Sequence, residues 1–409
     1  MSRRDPFDVV VVGGGVVGAA AALAFARDGA RVALVEAHVP GPWRGADATG
    51  DGRLDINESD LRVYAFAPDN AALLDRLGVW SSVRDARIQP YRAMQVWDAA
   101  GGDALRFDAD ALARPELGWI VEHGLLVDRL WSALPAAGVQ VRAPDRVEGV
   151  TQDEALASID LAGGDRLFAR LVLAADGADS HVRALAGIEA GTRDYGQRGV
   201  VAFVDSEHPH QATCWQRFLP TGPLAFLPFV DGHAPSRRSS IVWTLPEAEA
   251  ARVMAMDDAT FLDVLGRAFD GPLGGLTAVS RRAAFPLRRR LAQRYVAGRI
   301  ALLGDAAHVV HPLAGQGVNL GLRDVSALHD DAARRARVFD TGMGSTHWLE
   351  RWARVRRSEN AVAAHAFDGL NRLFSNDALV PTLLRGTLLG WAGRVPPLTH
   401  ALWKHAAGL

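Results

Sequence analysis

The sequence has few of the features that would assign it to several common protein classes, beginning with cysteine. Its 409 residues include a single cysteine, Cys214. One cysteine excludes an internal disulfide and favours a reducing compartment. Because no base can be identified near Cys214, this residue is a poor candidate for a catalytic nucleophile.

The chain also lacks an excess of charge of one sign. It has 45 Lys and Arg against 47 Asp and Glu, a formal net charge of -2. No dense basic patch with interleaved aromatic residues is present, so nothing indicates nucleic-acid binding. Metal-ligand spacings and a nucleophile elbow are missing as well. His308 and His311 lie three positions apart, but no carboxylate pattern accompanies them.

Long hydrophobic runs are scarce too. Residues 9–26 carry no charge and are about as long as a short membrane span. Four glycines interrupt this stretch, and no signal-peptide cleavage pattern follows it. We therefore expect a cytoplasmic protein.

The same N-terminal stretch has the pattern of a βαβ unit. Residues 8–12 are a β-branched run that predicts a buried strand, and residues 19–27 are alanine-rich and helical. Between them stands Gly13-Gly14-Gly15-Val16-Val17-Gly18, which matches G-x-G-x-x-G, and a second predicted strand ends in Glu36. This combination is typical of a dinucleotide-binding site, although a glycine turn without a ligand is the alternative.

Each residue of that motif has a physical role. Gly13 allows the tight turn, Gly15 lets the backbone approach a pyrophosphate, and Gly18 permits close packing of helix on strand. Glu36 is expected to accept hydrogen bonds from ribose hydroxyls.

A second strand–loop–helix pattern occurs late in the chain. An apolar run over residues 299–303 leads into Gly304-Asp305-Ala306-Ala307-His308, and helical spacing begins after Gly317. A helix start presents unpaired N–H groups and partial positive charge. Asp305, at the strand end, can accept hydrogen bonds from a sugar-like chain, or it can simply cap a turn.

This second stretch resembles the flavin motif of the aromatic-hydroxylase flavoproteins. The resemblance implies that Asp305 meets the ribityl chain of FAD and that the loop lies against the isoalloxazine ring. It places Pro312, Gly317 and Asn319 nearest the reacting ring. The cofactor-binding residues that it implies here are Gly304, Asp305, Gly315, Gln316, Gly317, Val318 and Asn319.

A narrower resemblance is carried by residues 90–98, 105–108 and 118–123. These segments are similar to the FAD-dependent hydroxylases of ubiquinone biosynthesis (the UbiH, UbiI and UbiF group), within the class A flavoprotein monooxygenases. The resemblance assigns Arg62 to the FAD pyrophosphate, and Asp176 with Arg183 to FAD and a passing nicotinamide cofactor. His123 stands where the group usually has Asn, and it either contacts FAD or has a purely structural role.

The resemblance implies an α/β fold, with a Rossmann-like FAD-binding domain of the p-hydroxybenzoate-hydroxylase type. We expect that domain to comprise residues 1–82, 115–188 and 280–345. A β-sheet substrate domain would comprise residues 83–114 and 189–279, and residues 346–409 would be a C-terminal helical region. In the sheet, Phe226, Phe229 and Trp243 could line an apolar pocket or could be plain core.

The expected function is hydroxylation of the aromatic ring of a polyprenylated phenol or benzoquinol in ubiquinone biosynthesis. By resemblance, NAD(P)H reduces FAD, and O2 forms a flavin C4a-hydroperoxide. A hydroxylase of a soluble aromatic acid is one alternative, but it predicts an arginine-bearing pocket, whereas residues 224–229 are apolar. A flavin-binding subunit without turnover is the other. We also expect contact with other ubiquinone-biosynthesis proteins and peripheral membrane contact through residues 388–404.

Overall fold

The computed structural model describes residues 5–45, 54–101, 103–310, 317–338 and 346–374. Within these residues the strands are β1 (Phe7–Val12), β2 (Val32–Val35), β3 (Val63–Phe66), β4 (Gln89–Tyr91), β5 (Ala93–Asp98), β6 (Leu105–Asp108), β7 (Gly118–Glu122), β8 (Gln140–Arg142), β9 (Val147–Gln152), β10 (Ala157–Leu161), β11 (Arg166–Ala174), β12 (Ala190–Ser206), β13 (Thr213–Leu219), β14 (Gly222–Phe229), β15 (Arg238–Pro246), β16 (Leu276–Val279), β17 (Ala283–Ala292), β18 (Val296–Ala297), β19 (Ile300–Leu302) and β20 (His308–Val309). The helices are α1 (Val16–Arg27), α2 (Pro68–Arg76), α3 (Trp80–Arg84), α4 (His123–Ala133), α5 (His181–Leu185), α6 (Glu247–Met254), α7 (Asp258–Phe269), α8 (Gly317–Val338) and α9 (Thr346–Phe374).

The first sheet has a parallel centre. Its strand order is β18-β19-β11-β1-β2-β8, with β9 and β10 added beside β11. β19, β11, β1, β2 and β8 run parallel to one another, whereas β18 and β10 pair antiparallel with β19 and β11. β2 is buried throughout, and β1 nearly so, as expected for parallel strands covered on both faces. The predicted Rossmann-like architecture is confirmed.

The second sheet is mainly antiparallel, and it forms the predicted β-rich region. Its order is β20-β17-β12-β15-β14-β13-β5-β6, and β16 pairs with β12. α6 and α7 cover one face, where they bury a hydrophobic cluster that includes Leu265 and Phe269. A small sheet of β3, β7 and β4 packs against the opposite face.

Several predicted boundaries differ from the structure. The expected boundary at residue 280 places β17 in the FAD-binding domain, but β17 pairs with β12 of the second sheet and reaches β20 beside the flavin motif. The two helices expected at residues 349–364 and 368–374 are one continuous helix, α9. The division of the chain into domains otherwise stays a prediction.

Some predicted residues lie outside the part of the chain that the structure describes. These are Pro312, Gly315 and Gln316 of the flavin motif, and residues 388–404 of the expected membrane surface. Among the helices of the described residues, none is both long enough and apolar enough to cross a membrane.

Candidate flavin site

The predicted cofactor motifs meet at one edge of the parallel sheet. Gly13 follows β1, Glu36 follows β2, Asp176 follows β11 and Asp305 follows β19. These four strands are neighbours in the sheet, in the order β19-β11-β1-β2. Because they are parallel, their carboxyl ends lie side by side, which is where open α/β sheets bind ligands.

The glycines of the first motif have the predicted conformations. Gly13 has a φ of 101°, and a Cβ there would lie 2.3 Å from the carbonyl oxygen of Ala175. A Cβ on Gly18 would lie 1.9 Å from the Gly13 oxygen, so only glycine allows α1 to pack this closely. A Cβ on Gly15 would meet nothing within 4 Å. Gly15 therefore faces open space at the start of α1.

The N-terminus of α1 suits a phosphate group. Gly15 is its N-cap, no side chain caps it, and its first turn contains no acidic residue. The exposed N–H groups and the helix dipole attract an anion at such a position. Beside it, the Glu36 carboxylate accepts hydrogen bonds from the backbone N–H groups of Gly14 and His38. A carboxylate has about four acceptor positions, so Glu36 retains capacity for a ribose hydroxyl.

The loop after β11 connects the first and last motifs. Asp176 lies against Gly13 and accepts from Val182 N–H through Oδ2 (3.0 Å). Its Oδ1 is buried and has no partner among the described residues. Arg183 is buried and donates to the carbonyl of Ala306 (2.8 Å), beside Asp305. Asp176 thus offers a ligand an acceptor, and Arg183 ties its loop to the flavin motif.

The start of α8 packs directly on the first motif. A Cβ on Gly321 would lie 2.6 Å from a methyl carbon of Val17 and 3.1 Å from the Cα of Gly304. Gly304 has a φ of 56°, which favours glycine. These contacts bring the two motifs, about 300 residues apart, into one site.

Arg62 and His123, two of the predicted cofactor-binding residues, lie together. The N–H of His123 donates to the carbonyl of Arg62 (2.8 Å). Asp60 fixes both segments, because its carboxylate accepts from the N–H groups of Arg62 and Gly124 (2.9 Å each). Tyr64, which sequence reasoning missed, places its hydroxyl 2.9 Å from His123 Nδ1.

The electrostatics of this cluster keep Tyr64 and His123 neutral. Burial raises the pKa of Tyr64 to about 12, and the nearby charge of Asp305 contributes to the increase. Burial and the positive charge of Arg62 lower the pKa of His123 to about 4, against the opposing effect of Asp60. Asn319 of α8 donates to the carbonyl of Ala65, the residue after Tyr64, so the cluster borders the flavin motif.

Asn319 has a structural role that its assignment to the reacting centre did not anticipate. Its side chain is fully buried. Its Oδ1 accepts from Ala67 N–H (3.1 Å) and Asn70 Nδ2 (2.9 Å), while its Nδ2 donates to the Ala65 carbonyl (2.8 Å). The side chain therefore holds the β3–α2 connection against α8. Gly317 and Val318 open α8, with Val318 packed in the main core.

A buried ionic network lies behind the flavin motif, and it was not predicted. Asp324 of α8 accepts from His308 Nε2 (2.6 Å), Arg356 Nε (2.8 Å), Asn360 Nδ2 (3.1 Å) and Gly304 N–H (3.1 Å). Asp324 and Asn360 are fully buried. Burial alone would raise the pKa of Asp324, but His308 and Arg356 lower it to about 2. This network couples α9 to the loop that carries Asp305.

Two of the three residues predicted to line a pocket or the sheet core lie on the face of the second sheet that α6 and α7 cover. Phe226 packs on Phe269 of α7 (ring centroids 4.0 Å apart), and Trp243 packs on Phe261 (6.4 Å). They are therefore core residues of the outer face. Phe229 points to the opposite, inner face, where it is fully buried against Phe203 (4.6 Å).

The inner face packs towards the small sheet of β3, β7 and β4, which Arg62 precedes and His123 follows, and its side chains are largely apolar. Its members include Met94, Phe203, Cys214, Ala225, Leu227, Phe229 and Val242. On the same face Phe285 lies over Gly199, where a Cβ would be 2.9 Å from its ring. Phe285 is 39% exposed, so an aromatic surface there is accessible to a ligand.

These features fit FAD. A dinucleotide requires space, hydrogen-bond donors and an acceptor. The opening at Gly15 provides the space, the uncapped N-terminus of α1 provides the donors, and the unpartnered Asp176 oxygen is the acceptor. Among the described residues no cluster of side chains could hold a metal ion. The site is that of a flavin-binding protein.

Comparison with known proteins gives the same class. Residues 8–57 and 52–341 each match a family model described as an FAD binding domain. The solved p-nitrophenol 4-monooxygenase PnpA of Pseudomonas putida superposes with a TM-score of 0.73 at 20% identity, covering 97% of this chain and 96% of that one. PqsL of Pseudomonas aeruginosa, described as a probable FAD-dependent monooxygenase, superposes with a TM-score of 0.70 at 23% identity, covering 95% of this chain and 100% of that one. The chain has the fold of the class A flavoprotein monooxygenases.

More similar relatives define the family. The chain is 36% identical over 407 residues to the 3-demethoxyubiquinol 3-hydroxylase of Escherichia coli, covering 99% of this chain and 100% of that protein. It is 35% identical to the ubiquinone hydroxylase UbiL of Rhodospirillum rubrum, covering 98% of this chain and 89% of that protein. The chain therefore belongs to the family of FAD-dependent ubiquinone-biosynthesis hydroxylases, and it is a flavin-dependent monooxygenase.

Proposed function

We propose that this protein hydroxylates the aromatic ring of a polyprenylated phenol or benzoquinol in ubiquinone biosynthesis, using FAD, NAD(P)H and O2. The observation that carries the substrate class is the apolar inner face of the second sheet, opposite the strands that bear Arg62 and His123. The names of the relatives support the same substrate class.

The charges near this face argue against a soluble aromatic acid. Arg87 and Arg238 both lie beside Phe229. Arg87 pairs with the fully buried Glu122 (2.6 Å), and Arg238 pairs with the buried Asp205 (2.8 Å). Both guanidinium groups are thus already neutralised, and a substrate carboxylate would have to compete with a buried ion pair.

The residues of the chain bind and orient the cofactor, and they shield the reacting groups from water. The α1 N-terminus takes the cofactor phosphates, and Asp305 takes hydroxyl groups of its sugar chain. When bound, FAD supplies the redox chemistry that transfers one oxygen atom of O2 to the ring. The inner face excludes water, which limits unproductive loss of that oxygen as peroxide. Phe285, rather than Phe226 or Trp243, offers the accessible aromatic surface for the substrate ring or tail.

The nicotinamide cofactor is proposed to dock at the loop after β11. Arg183 and Arg290 both donate to the carbonyl of Ala178 in this loop, and Arg290 also contacts Asp179 (2.6 Å). These cations lie beside the flavin motif through the Arg183–Ala306 hydrogen bond. They suit the phosphates of NAD(P)H.

We also propose that the protein is cytoplasmic and collects its lipid substrate by peripheral membrane contact or from another protein of the pathway. This proposal rests on the chemistry of the substrate and on the apolar, tryptophan-containing sequence at residues 388–404. Liposome co-sedimentation tests it: negligible pelleting of the folded, full-length protein would leave delivery by a partner as the working assumption.

The substrate assignment is tested by steady-state kinetics of the FAD-loaded protein with NADPH. A benzoquinol with a short prenyl tail is expected to be hydroxylated, and p-hydroxybenzoate is not. Phe285→Ala should raise KM for the prenylated substrate. The matched control Phe226→Ala should lower the melting temperature and leave KM unchanged. Faster turnover of the soluble acid, or no effect of Phe285→Ala on KM, would contradict the assignment.

A further inference from the structure

Tyr64 and His123 form a hydrogen-bonded pair whose arrangement suggests a role for Tyr64. Besides the 2.9 Å contact to Nδ1, the two rings meet edge to face, with centroids 5.8 Å apart at 76°. Tyr64 is 8% exposed. The Arg62 guanidinium lies over the Tyr64 ring, 5.6 Å from its centroid. The hydroxyl is therefore held in place by packing on both sides.

We propose that Tyr64 is a positioning residue of the flavin site: its hydroxyl donates to His123 Nδ1, keeps the imidazole proton on Nε2, and so presents an N–H donor to the cofactor. The proposal rests on the proposed binding of FAD in this site, and it goes further by assigning a role to a residue that does not itself touch the cofactor.

The direction of the hydrogen bond follows from the surroundings of the pair. A neutral imidazole has one N–H and one acceptor nitrogen, and the hydrogen bond at one nitrogen decides which of them carries the proton. The Arg62 guanidinium lies over the Tyr64 ring, and its positive charge acts to lower the Tyr64 pKa against the larger effect of burial. Because burial holds the pKa of Tyr64 near 12 and that of His123 near 4, the hydroxyl keeps its proton beside a neutral imidazole, and it can donate that proton to Nδ1 at 2.9 Å.

The backbone places the His123 ring beside Arg62, which is one of the predicted cofactor ligands. His123 is the first residue of α4 and directly follows β7, whose Val121 pairs with Tyr64 of β3. Asp60 holds both segments through the N–H groups of Arg62 and Gly124. Tyr64 also feels the charge of Asp305. The donor on Nε2 therefore belongs to the same cluster as the predicted ribityl and pyrophosphate ligands.

A double-mutant cycle on FAD affinity tests the proposal. The apo form of the full-length protein is titrated with FAD, followed by flavin fluorescence, for wild type, Tyr64→Phe, His123→Ala and the double variant. Tyr64→Phe keeps the ring and loses only the hydroxyl, so a purely structural role of the ring predicts no change. We expect its Kd for FAD to rise about two- to tenfold, the effect of one hydrogen bond.

The cycle distinguishes an indirect role from a direct one. Because Tyr64 acts through His123, Tyr64→Phe should have no effect in the His123→Ala background. The matched control Tyr91→Phe removes a buried hydroxyl from β4 of the same small sheet and should leave Kd unchanged. An equal effect of Tyr64→Phe in both backgrounds, or no effect in either, would overturn the proposal.

A second measurement reads the tautomer directly in the wild-type protein. Nitrogen NMR of wild-type protein labelled on histidine reports the His123 tautomer, with the His123→Ala spectrum as the assignment. A proton on Nε2 is expected, and a proton on Nδ1 overturns the proposal. Failure of wild-type apo protein to bind FAD would instead refute the proposed function, so the two failures are separable.

Discussion

Replacement of Asp324 by Asn is the sharpest test of how the flavin motif is supported. Asp324 accepts four hydrogen bonds and is fully buried. Its partner Arg356 is also buried, with 5% of its surface exposed. Asp324→Asn would remove the fully buried counter-ion of Arg356 and leave the cation only the exposed carboxylate of Glu359. Removing one partner of a buried ion pair costs about 3–5 kcal/mol, so we expect the free energy of unfolding to fall by about that amount.

Urea unfolding of the apo protein measures this loss without the stabilisation that bound flavin would add. The matched control is Asp263→Asn, which removes the exposed partner of Arg267 on α7. An exposed pair contributes about 0–1 kcal/mol. If Asp324→Asn were no more destabilising than Asp263→Asn, the network would not support the fold.

The same network predicts a functional consequence and a pH window. Because Asp324 holds the N–H of Gly304, Asp324→Asn should also weaken FAD binding in the folded fraction. The pKa of Asp324 lies near 2, below its usual 3.8. Its stabilising effect is therefore complete above pH 3.8 and is lost as the pH falls towards 2.

Three further predictions concern the cofactor site. Gly15→Val should fold normally but lose flavin, because the valine side chain would enter only the space meant for the cofactor. Gly18→Val should misfold, because the valine side chain would collide with the Gly13 backbone. Full flavin occupancy in Gly15→Val would refute the assignment of the first motif. Asp305→Ala should weaken FAD binding at least tenfold, since a charge-assisted hydrogen bond contributes about 1.5–3 kcal/mol; an unchanged titration would remove Asp305 from the site. The folded pKa of His123 is about 4, against 6.5 unperturbed, so stability should fall by up to about 3 kcal/mol as the pH drops from 6.5 to 4. His123→Asn should flatten that part of the stability–pH curve, and an identical curve would contradict the assignment.

The cofactor edge could be predicted from the sequence because its signals are local. Gly13, Gly18 and Glu36 lie within one βαβ unit, and the conformation each requires is set by its immediate neighbours. Asp305 likewise follows a short apolar run. Once these strands are parallel and adjacent, their carboxyl ends must meet, so position along the chain translates directly into position in the site.

The substrate face could not be predicted in the same way. Alternation along a strand shows which residues share a face, but it does not show which face looks towards the cofactor. β14 is buried on both faces, because α6 and α7 cover one and the small sheet packs on the other. Phe226 and Phe229 therefore look equivalent in the sequence, although they lie on opposite sides.

Long-range polar pairs were missed for a related reason. Tyr64 and His123 are 59 positions apart, and Asp324 and Arg356 are 32 apart. Their spacing contains no periodic signal, since their contact depends on how separate elements pack. One clue was available: Asp324 lies within the apolar stripe of α8, between Leu322 and Val325. A charge in a buried stripe requires a buried partner.

This protein is proposed to transfer one oxygen atom of O2 to the ring of a prenylated benzoquinol. Isotope labelling tests it most directly. The FAD-loaded protein is incubated with NADPH, a short-tailed benzoquinol and ¹⁸O-labelled O2, and the product is analysed by mass spectrometry. We predict a ring-hydroxylated product that carries one labelled oxygen. Two results would contradict this oxygen transfer: consumption of NADPH and O2 with only hydrogen peroxide formed, or a product oxygen derived from water.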